Sequence, residues 1–261
     1  MEIYAVVNQK GGVGKSATTK NLAAALAAQG DRVLVVDLDP QGHLSDALGL
    51  PEPQPPATLA EAMLGAYTGP LREIIQTHES SGLDVLAWSL DMFLLEPKLY
   101  AAQGKEFRLM HLLEQVDDGS YDVCLIDCPP SLAALTDNAL VASQRRKGKR
   151  SGVFIPVQAE DSSLRALRLL FGQVQSLEHS LRIQVEMIGL VVNLYDKRRG
   201  RIVTTTLDAL RELPLPILAI IDDRSTIREA WRAHEPVAIY DPTSEAATWY
   251  GDLAKALRAS R

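Results

Sequence analysis

The stretch Asn8-Gln9-Lys10-Gly11-Gly12-Val13-Gly14-Lys15-Ser16 constrains this chain more than any other. An apolar run from Ile3 to Val7 leads into it, and an alanine- and leucine-rich helical stretch leads out. Closely spaced glycines let the backbone turn back on itself without Cβ clashes. Its N–H groups can then converge on an anion held at the N-terminus of the following helix. In that arrangement Lys15 brings positive charge to the β- and γ-phosphates of a nucleotide, and the Ser16 hydroxyl meets a magnesium ion bridging them. The standard phosphate-loop string G-x-x-x-x-G-K-[ST] requires glycine at position 9, where this chain has Gln9. The strict motif therefore fails, and a variant of it, K-G-G-V-G-K-S, stands in its place.

Two further acidic motifs close apolar runs. Residues 32–36 (RVLVV) read as a strand buried on both faces and end in Asp37-Leu38-Asp39-Pro40-Gln41-Gly42. Two carboxylates one residue apart at a strand end point the same way, toward the crevice where open α/β sheets bind ligands. The same pair would also serve as helix N-caps. Residues 121–126 (YDVCLI) form another such strand, closed by Asp127-Cys128-Pro129-Pro130-Ser131. A carboxylate there can accept hydrogen bonds from the water around a magnesium ion.

These motifs resemble the ParA/MinD superfamily of ATPases. K-G-G-V-G-K-S is similar to its deviant Walker A loop, including the extra lysine, Lys10, five residues before the usual one. D-L-D-P-Q-G resembles its first switch, and the strand ending in D-C-P-P-S resembles its Walker B strand and second switch. The run V-F-I-P-V-Q (153–158) is a further likeness. The resemblance runs from Ile3 to about Leu257 and is most specific in the first 42 residues and around 127–131.

The resemblance implies a nucleotide site made by Lys10, Gly11, Gly12, Val13, Gly14, Lys15, Ser16 and Ala17, with ATP and Mg2+ as cofactors. Lys10 crosses a dimer interface to the partner's nucleotide, Asp39 orients the attacking water, and Ser16, Asp37 and Asp127 hold the metal. Asn193 pairs with the adenine edge through its dual donor and acceptor groups, although it also suits a turn. The segment from Asp222 to Ala230 closes over the base. Ala17 departs from the pattern, because a second hydroxyl residue is common there and alanine cannot hydrogen-bond an α-phosphate.

A net charge of −6 means that affinity for nucleic acid must come from local patches. Three sets of residues offer them. The run 144–150 carries Arg145, Arg146, Lys147, Lys149 and Arg150, and a second cluster holds Lys197, Arg198, Arg199 and Arg201. Arg224, Arg228 and Arg232 follow one helix face. They suit phosphate-backbone contact without base reading, or else a solvated loop and a helix face balanced by Glu229 and Glu235.

The 261 residues, 46% of them apolar, are expected to form one domain, 1–261, with no N-terminal helix-turn-helix. Strands alternating with helices imply a doubly wound, mostly parallel sheet of about seven strands with helices on both faces, and the resemblance implies the P-loop NTPase class. Helices are predicted over 58–64, 70–76, 91–117, 132–143, 163–178 and 243–259. Cys124 and Cys128, as the chain's two cysteines, suit a reduced compartment. No apolar stretch approaches the ~20 residues of a membrane span, so a cytoplasmic, nucleoid-associated protein without membrane contact is expected. The resemblance implies a DNA-partitioning ATPase whose ATP-bound homodimer binds non-specific DNA and is released by hydrolysis, stimulated by a ParB-like centromere-binding partner. A MinD-like membrane-positioning ATPase and an ATP-dependent metabolic ligase are the alternatives within the superfamily.

Overall fold

The computed structural model describes residues 1–196, 198 and 200–259, and for Arg201 and Ile202 the backbone alone. Strands and helices follow in the order β1 (Glu2–Val6), α1 (Lys15–Ala28), β2 (Val33–Asp37), α2 (His43–Ala47), α3 (Leu59–Leu64), β3 (Ile75–His78), β4 (Leu83–Leu86), α4 (Met92–Tyr100), α5 (Arg108–Glu114) and β5 (Val123–Asp127). The second half continues with α6 (Ala134–Ala142), β6 (Gly152–Val157), α7 (Asp161–Leu181), β7 (Met187–Tyr195), α8 (Arg201–Arg211), β8 (Ile217–Asp222), α9 (Ser225–Arg232), α10 (Val237–Tyr240) and α11 (Glu245–Ala259).

Apolar runs without polar alternation leave neither face of a strand for water, so such strands pair side by side beneath helices on both sides. The eight described strands form one sheet in the order β3-β4-β2-β5-β1-β6-β7-β8. All neighbours are parallel except β3 against β4. The pleat divides the core. Ile3, Ala5 and Val7 pack with Leu135 of α6, Leu167 and Leu170 of α7 and Leu207 of α8. Tyr4 and Val6 pack on the other face with Leu22 and Leu26 of α1 and Leu253 and Leu257 of α11. This is the doubly wound architecture expected from the alternating pattern.

Because the central strands run the same way, their C-terminal ends meet along one edge. The register sets Val6 and Asp37 each beside Asp127, so the loop after β1 and two acidic strand ends arrive at one place. That is where the order of winding reverses about β1, the position at which doubly wound sheets bind ligands.

Several local expectations are corrected. Residues 70–76 form a 3-10 turn, Leu71–Ile74, and then enter β3, because Ile75 and His78 pair with Leu86 and Leu83 at the sheet edge. The stretch 91–117 is two helices, interrupted by Gly104 at φ 60° and a 3-10 turn over Lys105–Phe107. Strand β7 carries Asn193 within its last three residues. With β3 included the sheet has eight strands.

Candidate nucleotide site

The loop after β1 wraps a cavity of about 340 Å³ lined by Gly11, Gly12, Gly14, Lys15, Ser16, Ala17, Asp39, Gln41, His43, Pro130 and Trp231. Gly14 caps α1 in the left-handed conformation, φ 86°, and a Cβ there would stand 2.7 Å from Nδ2 of Asn193. Both features exclude a side chain at position 14. With no acidic residue in the first turn of α1, the N–H groups at its start are free to meet an anion.

Lys15 is buried beneath the loop, its Nζ 3.4 Å from the Lys10 carbonyl. Burial lowers its pKa, and the charges of Asp127 and Asp39 oppose that shift. Asp37 is fully buried; its Oδ2 accepts from the Ser45 amide at 2.8 Å and the Ser45 hydroxyl at 2.7 Å. Asp127 is also fully buried, with Thr19 donating to Oδ1 at 3.3 Å and the Ser16 hydroxyl near enough to favour its charged form. Burial, reinforced by neighbouring carboxylates, pushes both acids up, Asp37 to about 7.

One oxygen of each, Oδ1 of Asp37 and Oδ2 of Asp127, is buried without a hydrogen-bond partner. Two such oxygens, side by side across the β2–β5 register, call for a cation. Among the described residues no group of three or more His, Cys, Asp and Glu side chains forms a metal cage. Magnesium takes few protein ligands and completes its shell with water and phosphate oxygens, so Ser16, Asp37 and Asp127 fit it. Asp39 lies at the rim of the cavity, its Oδ1 accepting from the Gln41 amide at 3.0 Å. The turn is locked by Gly42, φ 64°, where a Cβ would stand 2.6 Å from the Trp88 ring. Trp88 donates its indole N–H to the Pro40 carbonyl at 2.7 Å.

Lys10 does not line its own cavity. Its ammonium is ion-paired with Glu160 and hydrogen-bonded to the Ser162 hydroxyl at 2.9 Å and Gln158 Oε1 at 3.4 Å. Asn193, expected at the adenine edge, is bonded to the loop and α1. Its Nδ2 donates to the Val13 carbonyl and the Thr18 hydroxyl, both at 2.9 Å, so the amide's donor side is committed to the loop. Only Oδ1, buried and unpartnered, is left to accept from a base. Asp222 lies apart from the loop, in a second cavity of about 440 Å³ with Tyr195, Asp196, Asp223, Arg224 and Trp249.

The basic residues divide. The run 145–150 joins α6 to β6 and so lies at the opposite, N-terminal edge of the strands. Arg145 and Arg150 pair with Glu186, and Arg146 and Lys149 pair with Asp117. Arg146 also donates to the Met1 carbonyl at 2.6 Å, and Lys147 is exposed. Four of the five cations expected to meet DNA are thus engaged in ion pairs within the chain. Arg224 caps α9, pairs with Glu245 at 2.8 Å and lies over the Trp249 ring; Arg228 pairs with Asp223. The acids offsetting this face are thus Glu245, Asp222 and Asp223 rather than Glu229 and Glu235. Arg198 pairs with Asp196 at 2.9 Å. Lys197, Arg199 and the Arg201 side chain lie outside the described residues.

Sequence reasoning missed Ser45, Thr19, Glu160 and Ser162. The hydroxyl eight residues after Asp37 and the threonine one turn after Ser16 were visible, but nothing local says which carboxylate each reaches. Both cysteines are free, buried and pushed to higher pKa by burial, which makes them unreactive thiols.

Residues 1–187 match the AAA_31 family, described as an AAA domain. The chain is 34% identical to the chromosome partitioning protein ParA of Caulobacter vibrioides (strain NA1000 / CB15N), covering 98% of this chain and 93% of the relative. It is 33% identical to the sporulation initiation inhibitor protein Soj of Bacillus subtilis (strain 168), with 99% of each covered. Among solved structures it is similar to cobyrinic acid a,c-diamide synthase from Mycobacterium smegmatis, crystallised with an ATP analog and magnesium. That similarity has a TM-score of 0.82 at 31% identity, over 99% of this chain and 94% of that one.

Proposed function

This chain belongs to the ParA family of P-loop ATPases in the ParA/MinD superfamily, and from that premise we propose that it partitions DNA by an ATP-gated dimer cycle. ATP and Mg2+ are its cofactors. Bound metal neutralises phosphate charge and polarises the γ-phosphate. The loop amides and Lys15 hold the phosphates, Ser16, Asp37 and Asp127 face the metal, and Asp39 aligns water with the γ-phosphate.

The observation that carries the reading is the direction of Lys10. A lysine that is absent from the lining of its own phosphate cavity and is held instead by Glu160 and Ser162 is available to a nucleotide presented from outside. A second copy, facing this one with its loop, is the source we assign, which makes the ATP-bound state a homodimer. Dimerisation doubles the number of DNA phosphates within reach of Arg224, Arg228 and the cluster at 197–201, and so couples DNA grip to the nucleotide. Hydrolysis, accelerated by a ParB-like partner, separates the copies and frees the DNA. The cycle runs in the cytoplasm on the nucleoid; no helix among the described residues is long and apolar enough to cross a membrane. The amide-forming activity named for the Mycobacterium smegmatis protein is not carried over, because the described lining of the phosphate cavity consists of loop and switch residues plus Trp231.

A gel-retardation assay with duplexes of unrelated sequence tests this reading. Retardation is expected with ATP and not with ADP or without nucleotide, equally on each sequence. The Arg224→Ala/Arg228→Ala double variant is expected to bind more weakly, with a log–log salt slope shallower by roughly 0.9 for each DNA phosphate it no longer neutralises. Equal retardation in all three nucleotide states, or none in any, would contradict the reading.

A further inference from the structure

The cavity at the phosphate loop contains one aromatic ring that none of the motifs accounts for. Trp231 lies near the end of α9, more than 200 residues from the loop in sequence, yet lines the same cavity as Gly14, Ser16 and Ala17. Its ring is held by a buried cation. Lys20, buried at 1% exposure, sets its Nζ 4.9 Å from the Trp231 ring centroid. The same ammonium donates to the Glu235 carbonyl at 2.9 Å and the Ala47 carbonyl at 3.3 Å.

Lys20 follows Ala17 by three residues on α1, so the two share a helix face, and the ring is docked on the face that begins with Ala17. The segment after Trp231 is pinned as well. The His234 ring Nδ1 lies 2.7 Å from the Asp46 carbonyl, and the Val237 amide donates to Asn21 at 2.8 Å. A charged lysine with two carbonyls and an indole face is a costly use of a buried cation, and its result is a fixed aromatic wall in the cavity.

We propose that Trp231 is a nucleotide-contacting residue whose indole packs against the nucleoside half of ATP, and that Lys20 is the residue that positions it. The inference rests on the assignment of this cavity to ATP. Lys15 and Ser16 would take the phosphate and metal end, and Ala17 and Trp231 line the same cavity. Ala17 offers a phosphate no hydroxyl, and the wall beyond it is apolar and flat. A ribose and base have the shape and π-face to cover such a wall, whereas a bare polyphosphate has neither. The ring thus supplies nucleoside affinity where the hydroxyl contact at position 17 is missing.

Calorimetric titration with magnesium separates the two halves of the ligand, using ATP and inorganic tripolyphosphate as probes on the wild type, Trp231→Phe and Trp231→Ala. Trp231→Ala is expected to bind ATP roughly ten-fold more weakly, with Trp231→Phe retaining most of the affinity. Tripolyphosphate affinity is expected to be the same for all three proteins. Unchanged ATP affinity in Trp231→Ala, or an equal loss for both ligands, overturns the inference and leaves the ATP site standing. A wild type that binds neither ligand overturns the site assignment itself. Should Trp231→Ala fold poorly, the Trp88→Phe/Trp249→Phe variant retains Trp231 as its sole tryptophan. Its emission is expected to change on adding ATP and to remain constant with tripolyphosphate; the same response to both would count against the inference.

Discussion

Lys10→Ala is expected to lower ATP turnover by roughly a thousand-fold, the scale on which a cation supplied in trans accelerates phosphoryl transfer. ATP binding to the isolated copy should change little, because the cavity of about 340 Å³ is lined without Lys10. The loss therefore belongs in kcat, and it separates Lys10 from Lys15, which lines that cavity and whose removal should abolish binding itself. Glu160→Gln offers the complementary case. Glu160 ion-pairs with Lys10 within one copy, and the exposed carboxylate is readily exchanged for water, so the variant is expected to keep turnover within several-fold of wild type. Steady-state phosphate release, measured beside equilibrium ATP binding, checks both. A Lys10→Ala protein that binds ATP poorly but turns over normally at saturation would place the lysine on its own nucleotide.

The second large effect concerns the metal-facing carboxylates. Without metal, burial holds the Asp37 carboxyl at a pKa of about 7, whereas the unfolded chain releases that proton near the ordinary aspartate value of about 4. Between those values the native state binds more protons than the unfolded state, so stability falls as pH rises through the window and levels off above it. Asp127 shifts in the same direction and adds to the slope. Each unit of difference corresponds to about 1.4 kcal/mol. In chelator, Asp37→Asn is therefore expected to melt roughly 5 °C or more above wild type at pH 8, while the two curves converge near pH 4. The amide keeps an oxygen for the Ser45 donors. With magnesium and ATP present the order should reverse, because wild type then gains binding that the variant loses. Coincident melting profiles for the two metal-free proteins across pH 4–8 would contradict this account of the site.

The parts of the site legible in sequence are those set by local geometry. Consecutive glycines before Lys15, and aspartates closing apolar strands, announce their conformations within a few residues, and strand parallelism then brings Val6, Asp37 and Asp127 together. Pairings between distant side chains were not legible. Glu160 lies 150 residues from Lys10, and the Asn193 amide donates to a carbonyl 180 residues back; neither partner is marked by spacing. The ion pairing of the basic run at 145–150 was not legible for the same reason. Five cations in sequence look like a surface for phosphate until the fold brings Asp117 and Glu186 against four of them. The 70–76 stretch was misread because so short an amphipathic segment fits either period, and the choice of strand is made by the edge of β4.

Multi-angle light scattering tests the central claim most directly, with the wild-type chain at a fixed concentration in magnesium and a non-cleavable ATP analogue, and then in ADP. The expected masses are close to twice the 28.5 kDa chain with the analogue and one chain with ADP, with Lys10→Ala remaining at one chain in both. A wild-type mass of one chain at saturating analogue, or of two chains in both nucleotides, would contradict a dimer that assembles on ATP and parts on its hydrolysis.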